Sequence, residues 1–327
     1  MSDVTGLSEN NAWQRIAASQ AFWVALALIA ICIVMTILQP RAFASTENFY
    51  NITRNFAFVG IMALGMTVVI ITGGIDLSVG SVMGLVAIIA GLVLQAGYSW
   101  PLAFAAGAAT GLACGLVNGG LIAYVGLSPF VVTLGMLSIA RSLAIVFSEN
   151  KMIYDFGPDA KIVYEIGGGQ MFGVANPVWL LLLLTLITGW VLNFTAWGRY
   201  IFAIGGNESA ARLTGVPVNR VKMQAYIVSA LCAAIASLMI LGWQGSAINA
   251  LGQGYELRVI AATVIGGANL MGGAGTAFGA FIGSALIEVI RNGLLMAGVD
   301  ANWQGAFVGA FIVMAVVLER VRGRRRD

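Results

Sequence analysis

The sequence predicts an all-α polytopic membrane protein with about ten transmembrane helices, two of them short or broken, and a weak internal repeat. Three observations predict this. The 327 residues are 59% hydrophobic. Only 9% are charged, against about 25% in a soluble domain, too few to cover a water-facing surface. The apolar residues fall in runs near the roughly 20 residues that cross a hydrocarbon layer as helix.

The first run, 20–38, continues an apolar stretch that opens at Ile16 after Arg15. Ala42-Phe43-Ala44 resembles a signal-peptidase site. The stretch exceeds the 7–15 residues of a signal core, so it reads as a retained span, with cleavage as the alternative. Residues 1–19 then form a cytoplasmic N-terminus. Runs 56–72, 79–97, 101–124 and 129–147 follow. The loop 148–176 carries Glu149, Asp155, Asp159 and Glu165 against Lys151 and Lys161. After run 178–194, the loop 195–222 carries Arg199, Arg212, Arg220 and Lys222 against Glu208. Runs 223–243, 258–270, 277–297 and 303–318 lead to an arginine-rich tail, 319–327. Two runs, 56–72 and 258–270, are short for a span. Basic flanks mark the cytoplasmic side. Ten passes put the basic loop and tail inside and the acidic loop outside, in the periplasm. Eight passes with two re-entrant hairpins satisfy the same parity. Residues 1–327 read as one transmembrane domain.

Several chemistries are excluded. There is no histidine, hence no His metal site, triad or general base. Cys32, Cys114 and Cys232 each lie in an apolar run and read as packing residues, not as a disulfide frame or metal site. No lysine follows a glycine, so the chain lacks a G-x-x-x-x-G-K-[ST] phosphate loop. The net charge of +3 belongs to the membrane flanks and does not point to nucleic acid.

Between two apolar runs stands GGIDLSVG, 73–80; GGANLMGG, 266–273, repeats its pattern Gly-Gly-x-(Asp/Asn)-Leu-x-x-Gly. Paired glycine-interrupted segments after short spans point to a translocation path. An ionised aspartate at mid-membrane costs about 2.5–3.5 kcal/mol, so Asp76 needs compensation. One reading makes it the N-cap of the following helix, with Gly73 and Gly74 supplying the turn. The other makes it a solute contact, because broken backbone at membrane depth lines a cavity or packs in protein. Gly73, Gly74, Asp76, Ser78 and Asn269 are the expected path-lining residues. Among other intramembrane charges, Glu288 and Arg291 are three apart on one helix and positioned to pair, and Arg141 is expected near a span end, snorkelling. Asn118, Thr133, Ser138, Gln244, Asn249 and Asn292 are uncharged hydrogen-bonding groups. Amides and hydroxyls suit a neutral polyhydroxylated solute better than an ion.

In GGNESAARLTGVP, 205–217, Asn207 is a good N-cap and Glu208 sits at the positive helix start. Gly215 suits a left-handed C-terminal turn and Pro217 stops continuation. The result is a helix of about seven residues, too short to stand alone in water.

GMTVVIITGGIDLSVGSVMGL resembles the signature stretch of ribose-type permease subunits of ATP-binding-cassette (ABC) sugar importers. GRYIFAIGGNESAARLTGVPVNRVK is similar to that family's cytoplasmic coupling loop, and YELRVIAATVIGGANLMGGAGT to its second characteristic region. The likeness runs over about residues 20–320. It implies a bacterial inner-membrane, multi-pass permease importing ribose or a related monosaccharide or polyol, with both termini cytoplasmic. It implies that Asn207, Glu208, Ala210, Ala211, Arg212 and Gly215 dock an ABC ATPase subunit. ATP and Mg would sit on that partner, and this chain would bind no cofactor and be no enzyme. A periplasmic sugar-binding protein, a second permease subunit as a homodimer, and membrane lipid complete the implied partners. The alternative is an ion-coupled secondary transporter with Asp76 as its ion site. A passive channel leaves the 205–217 helix unexplained. Related permeases for branched-chain amino acids share the plan, but their zwitterionic solute should meet more charge.

Overall fold

The computed structural model describes residues 20–300 with 303, 305, 306, 309 and 310. The expected N-terminal segment 1–19, most of the run 303–318 and the tail 319–327 lie outside the described residues.

Helices dominate: α1 (Gln20–Leu38), α2 (Thr46–Ile71), α3 (Val79–Gln95), α4 (Trp100–Gly120), α5 (Pro129–Phe147), α6 (Ala160–Gly168), α7 (Asn176–Phe194), α8 (Ala196–Gly206), α9 (Glu208–Leu213), α10 (Val218–Gln244), α11 (Tyr255–Ile265) and α12 (Ala277–Met296). A two-residue hairpin, β1 (Gln170–Met171) and β2 (Val174–Ala175), precedes α7. Among the described residues, seven helices are long and apolar enough to cross a membrane: α1, α2, α4 with the π-turn Leu121–Val125, α5, α7, α10 and α12. The chain is therefore an all-α multi-pass membrane protein. The expected count of about ten spans is not reached by these residues.

The short elements also differ from expectation. Run 56–72 is the end of a 26-residue helix, not a short span. Its start is polar and escapes a hydropathy reading. Ser45 caps it by accepting from the Asn48 N–H. Asn48 exchanges amide hydrogen bonds with Asn292, at 3.1 and 2.8 Å. The Arg54 guanidinium lies 4.2 Å from the Trp243 ring centre. The short apolar elements are α3, with 17 residues, and α11, with 11.

The core is built on α2, α3 and α10. Most of α2 and α10 is buried, whereas 6% of the α1 span and 22% of the α7 span are. The outer helices instead expose Ile37, Leu186, Trp190 and Phe194, a surface suited to lipid tails. α4 meets α10 through Gly107, Gly111, Gly115 and Gly119, one every fourth residue. A Cβ at Gly115 would stand 2.8 Å from the Ile227 Cα, and one at Gly119 2.8 Å from the Met223 Cα. With little hydrophobic force between helices in lipid, such close backbone approach supplies the packing attraction.

Segments 148–176 and 195–217 lie at opposite ends of α2. Lys161, Tyr164 and Glu165 share a cavity with Tyr50 and Arg54 near its start. Gly205 packs on Ile71 at its end. At 1.5 Å per residue, α2 separates them by about 39 Å. Segment 148–176 is an ordered cap on α10, built from the turn Gly157–Asp159, α6 and the hairpin.

Candidate functional site

The chain breaks between α2 and α3. The Gly74 N–H donates to the Val69 carbonyl and the Gly73 N–H to that of Ile70. This is a Schellman ending, which needs a left-handed residue just past the helix, and Gly73 has φ +79°. A Cβ at Gly74 would stand 2.5 Å from the Tyr226 hydroxyl oxygen.

Asp76 is fully buried. Its Oδ1 accepts from the Ser78 N–H at 3.0 Å and the Ser78 hydroxyl at 2.6 Å. Its Oδ2 accepts from the Ser229 hydroxyl on α10 at 2.8 Å. Ser78 Oγ in turn accepts from Asn118 Nδ2 on α4 at 3.0 Å. Asp76 is thus not the helix N-cap; Ser78 holds that position and makes no side-chain cap bond. The carboxylate lies two residues upstream, where one oxygen closes a local turn and the other ties the break to α10. Sequence reasoning did not assign Ser229 to Asp76, nor Asn118, which reaches it only through Ser78. Their only signal was a polar side chain in an apolar run. Asn118 Oδ1 is buried with no hydrogen-bond partner among the described residues.

The second glycine-rich stretch, 266–276, forms a matching turn after α11. The Met271 N–H donates to Asn269 Oδ1 at 2.6 Å, and the Gly272 N–H to the Asn269 carbonyl. Asn269 is half-buried. The Gly273 N–H donates to the Ile71 carbonyl at 2.9 Å, joining the two breaks. Gly205, at the end of α8, lies against both of these atoms, and a Cβ there would overlap the Ile71 carbonyl. The structure therefore brings Gly73, Gly74 and the 266–273 turn together beside the base of the 205–217 segment. Asp76 and Ser78 are sealed above them.

In that segment Asn207 Oδ1 accepts from the Ala210 N–H, as its sequence position predicts. α9 runs for six residues, close to the expected length. Glu208 pairs with Arg212 one turn on and with Lys222 on α10. The hydrogen bond from Lys222 holds its carboxyl below the usual carboxylate range. Gly215, at φ +85°, ends the turn. Ala210 and Arg212 are exposed and Ala211 is buried. Leu213 is 89% exposed, and Met271 nearby in sequence to the second break is 87% exposed. Both are large apolar residues that sequence reasoning did not single out.

Residues 245–254 form a third irregular stretch. It runs back along α3, with Ala247 against Gly91, Leu251 against Gly84 and Gly252 against Gly80. The glycines form a groove, and the Leu251 carbonyl would be 2.8 Å from a Cβ at Gly84. Arg141 fastens the stretch: its Nη1 donates to the Asn249 carbonyl at 2.6 Å and the Leu251 carbonyl at 2.8 Å. Arg141 is half-buried and clasps this backbone with Nη1, in place of the expected reach along a span end. Glu288, 1% exposed, accepts from Arg291 Nε through both oxygens at 3.0 Å, the expected pair.

Residues 48–316 match the family described as the permease component of branched-chain amino acid transport systems. The chain is 37% identical over 303 residues to a probable ABC transporter permease protein, y4mJ, of Sinorhizobium fredii, covering 93% of this chain and 90% of that one. It is 35% identical to the ribose import permease RbsC of Escherichia coli K12, covering 90% and 92%. It is 35% identical to the fructose import permease FrcC of Rhizobium meliloti, covering 90% and 84%. No solved structure matches it.

Proposed function

Since the chain belongs to the family of ABC transport permease components, we propose that it is the membrane subunit of an ATP-driven importer of a monosaccharide, ribose or a related sugar or polyol. It is a ribose-type, multi-pass inner-membrane transport subunit and not an enzyme. The sugar is the finer reading. The names of its ribose and fructose relatives support it, and so do the amides and hydroxyls along α3 and 245–254.

One observation carries the mechanism: Gly205 joins the base of the exposed helix α9 to both breaks through backbone atoms. α9 docks a separate ABC ATPase, with Asn207, Glu208, Ala210, Ala211, Arg212 and Gly215 shaping the contact. Exposed Leu213 adds an apolar anchor of the kind such helix-in-groove contacts use. ATP and Mg belong to that partner. The face bearing 195–222 is cytoplasmic, on its basic charge, as are both termini; 148–176 is periplasmic and receives a sugar-binding protein. A second copy completes the path within the lipid. Gly73, Gly74, Asp76, Ser78 and Asn269 form its inner gate: the glycines flex and the Asp76 network holds the closed form.

The test is purification of a tagged copy from its native host in mild detergent, beside Glu208→Lys. The expected result is an ATPase with a phosphate loop, near one to one, lost in the variant. A protein that comes out alone and drives solute uptake from an ion gradient without ATP would overturn the reading and favour ion coupling.

A further inference from the structure

A cavity of about 420 Å³ opens where α3, α5 and the 245–254 stretch meet. Its polar lining is Ser81, Arg141, Asn249, Gln253 and Glu256. Leu137 and Ile145 of α5 supply an aliphatic wall. Ser81 lies five residues beyond Asp76, so the cavity stands directly above the first break. The volume lies in the range of small-molecule sites, roughly 300–1,000 Å³.

The donor set narrows the ligand. Arg141 and Glu256 carry opposite charges, so the lining is neutral as a whole. Arg141 Nη1 is spent on the Asn249 and Leu251 carbonyls. One oxygen of Glu256 accepts from the Gly254 N–H. Each of these charges is therefore partly committed to backbone that forms the wall. The Gln253 side chain is exposed and has no hydrogen bond among the described residues. An amide offers one acceptor and two donors, and a sugar hydroxyl offers both. A metal ion needs clustered carboxylates, and the described residues hold no such cluster.

We propose that this cavity is a binding site for a neutral monosaccharide on the transport path, above the inner gate, with Gln253 as a contact to sugar hydroxyls. The proposal rests on the sugar-importer reading. Arg141 positions the site by holding 245–254 in the groove of α3, and Ser81 and Asn249 face the same space.

The test replaces Gln253 at the native locus and follows uptake of labelled D-ribose, D-fructose and D-xylose by whole host cells. Gln253→Leu should lower uptake of the accepted sugar about tenfold, the scale of one lost hydrogen bond, and Gln253→Asn should keep it within about threefold. Both should reach the membrane and retain the ATPase as wild type does. Separately, Gln253→Cys should react with a water-soluble maleimide, and the accepted sugar should slow that reaction about fivefold while the other sugars do not. Uptake by Gln253→Leu within about twofold of wild type would overturn the site. So would labelling indifferent to sugar, or a loss of uptake that merely follows a loss of assembled complex. If deleting this chain leaves uptake of all three unchanged, the ribose-type sugar reading itself fails, and the site with it.

Discussion

A methyl group added at Gly74 meets the Tyr226 hydroxyl and little else as closely. Gly74→Ala should therefore lower the yield of folded protein by an overpacking cost of about 1–3 kcal/mol. Tyr226→Phe beside it should restore much of the yield, because the hydroxyl is gone and its bond to the Ile75 carbonyl, at 3.4 Å, is a long one. Size-exclusion profiles of fluorescently tagged protein read both. Arg291→Leu should cost about 3–5 kcal/mol by stranding buried Glu288, and Glu288→Leu with Arg291→Leu should recover most of that, as an earlier or later thermal melt in detergent. Such pairs differ in how far sequence reveals them. Glu288 and Arg291 are three apart, and helix geometry alone brings them together. Asp76 announces its need for partners, but Ser229 stands 153 residues away, and no local rule links the two.

Helix α9 is too short to hold itself, and its ion pairs to Arg212 and Lys222 do part of that work. The folded carboxyl of Glu208 lies below its unfolded value, so its contribution is complete above the ordinary carboxylate range and fades as pH falls through the folded value. Being partly exposed, it is worth a few tenths to about 1 kcal/mol. The melting difference between wild type and Glu208→Gln should hold at pH 7 and vanish in strong acid. α9 was legible because caps and stops are local: Asn207, Gly215 and Pro217 mark it. α2 was read too short because its first turns are polar, and their partners, Asn292 and Trp243, are distant in sequence. The path of the 245–254 stretch was not legible. The glycines that shelter it, Gly80, Gly84 and Gly91, were visible as spacing on α3, but spacing does not say that backbone fills the groove.

The whole molecule has two differently charged ends, separated by the length of α2. Lys161→Cys should react with an impermeant thiol reagent on intact cells, and Leu213→Cys only after permeabilisation; the reverse pattern would invert the protein in its membrane. The multi-pass class was legible from composition alone, since so few charges leave no other solvent. The number of spans is harder to read, because hydropathy counts apolar runs, and α3 and α11 are apolar but shorter than a span. At the basic end, Ile71 ends the helix before the first break, Gly273 belongs to the second break, and Gly205 leans on both. On the docking proposed above, a push arriving through α9 would meet both breaks at one glycine, so the two would be expected to move together, as one clockwork with a single escapement.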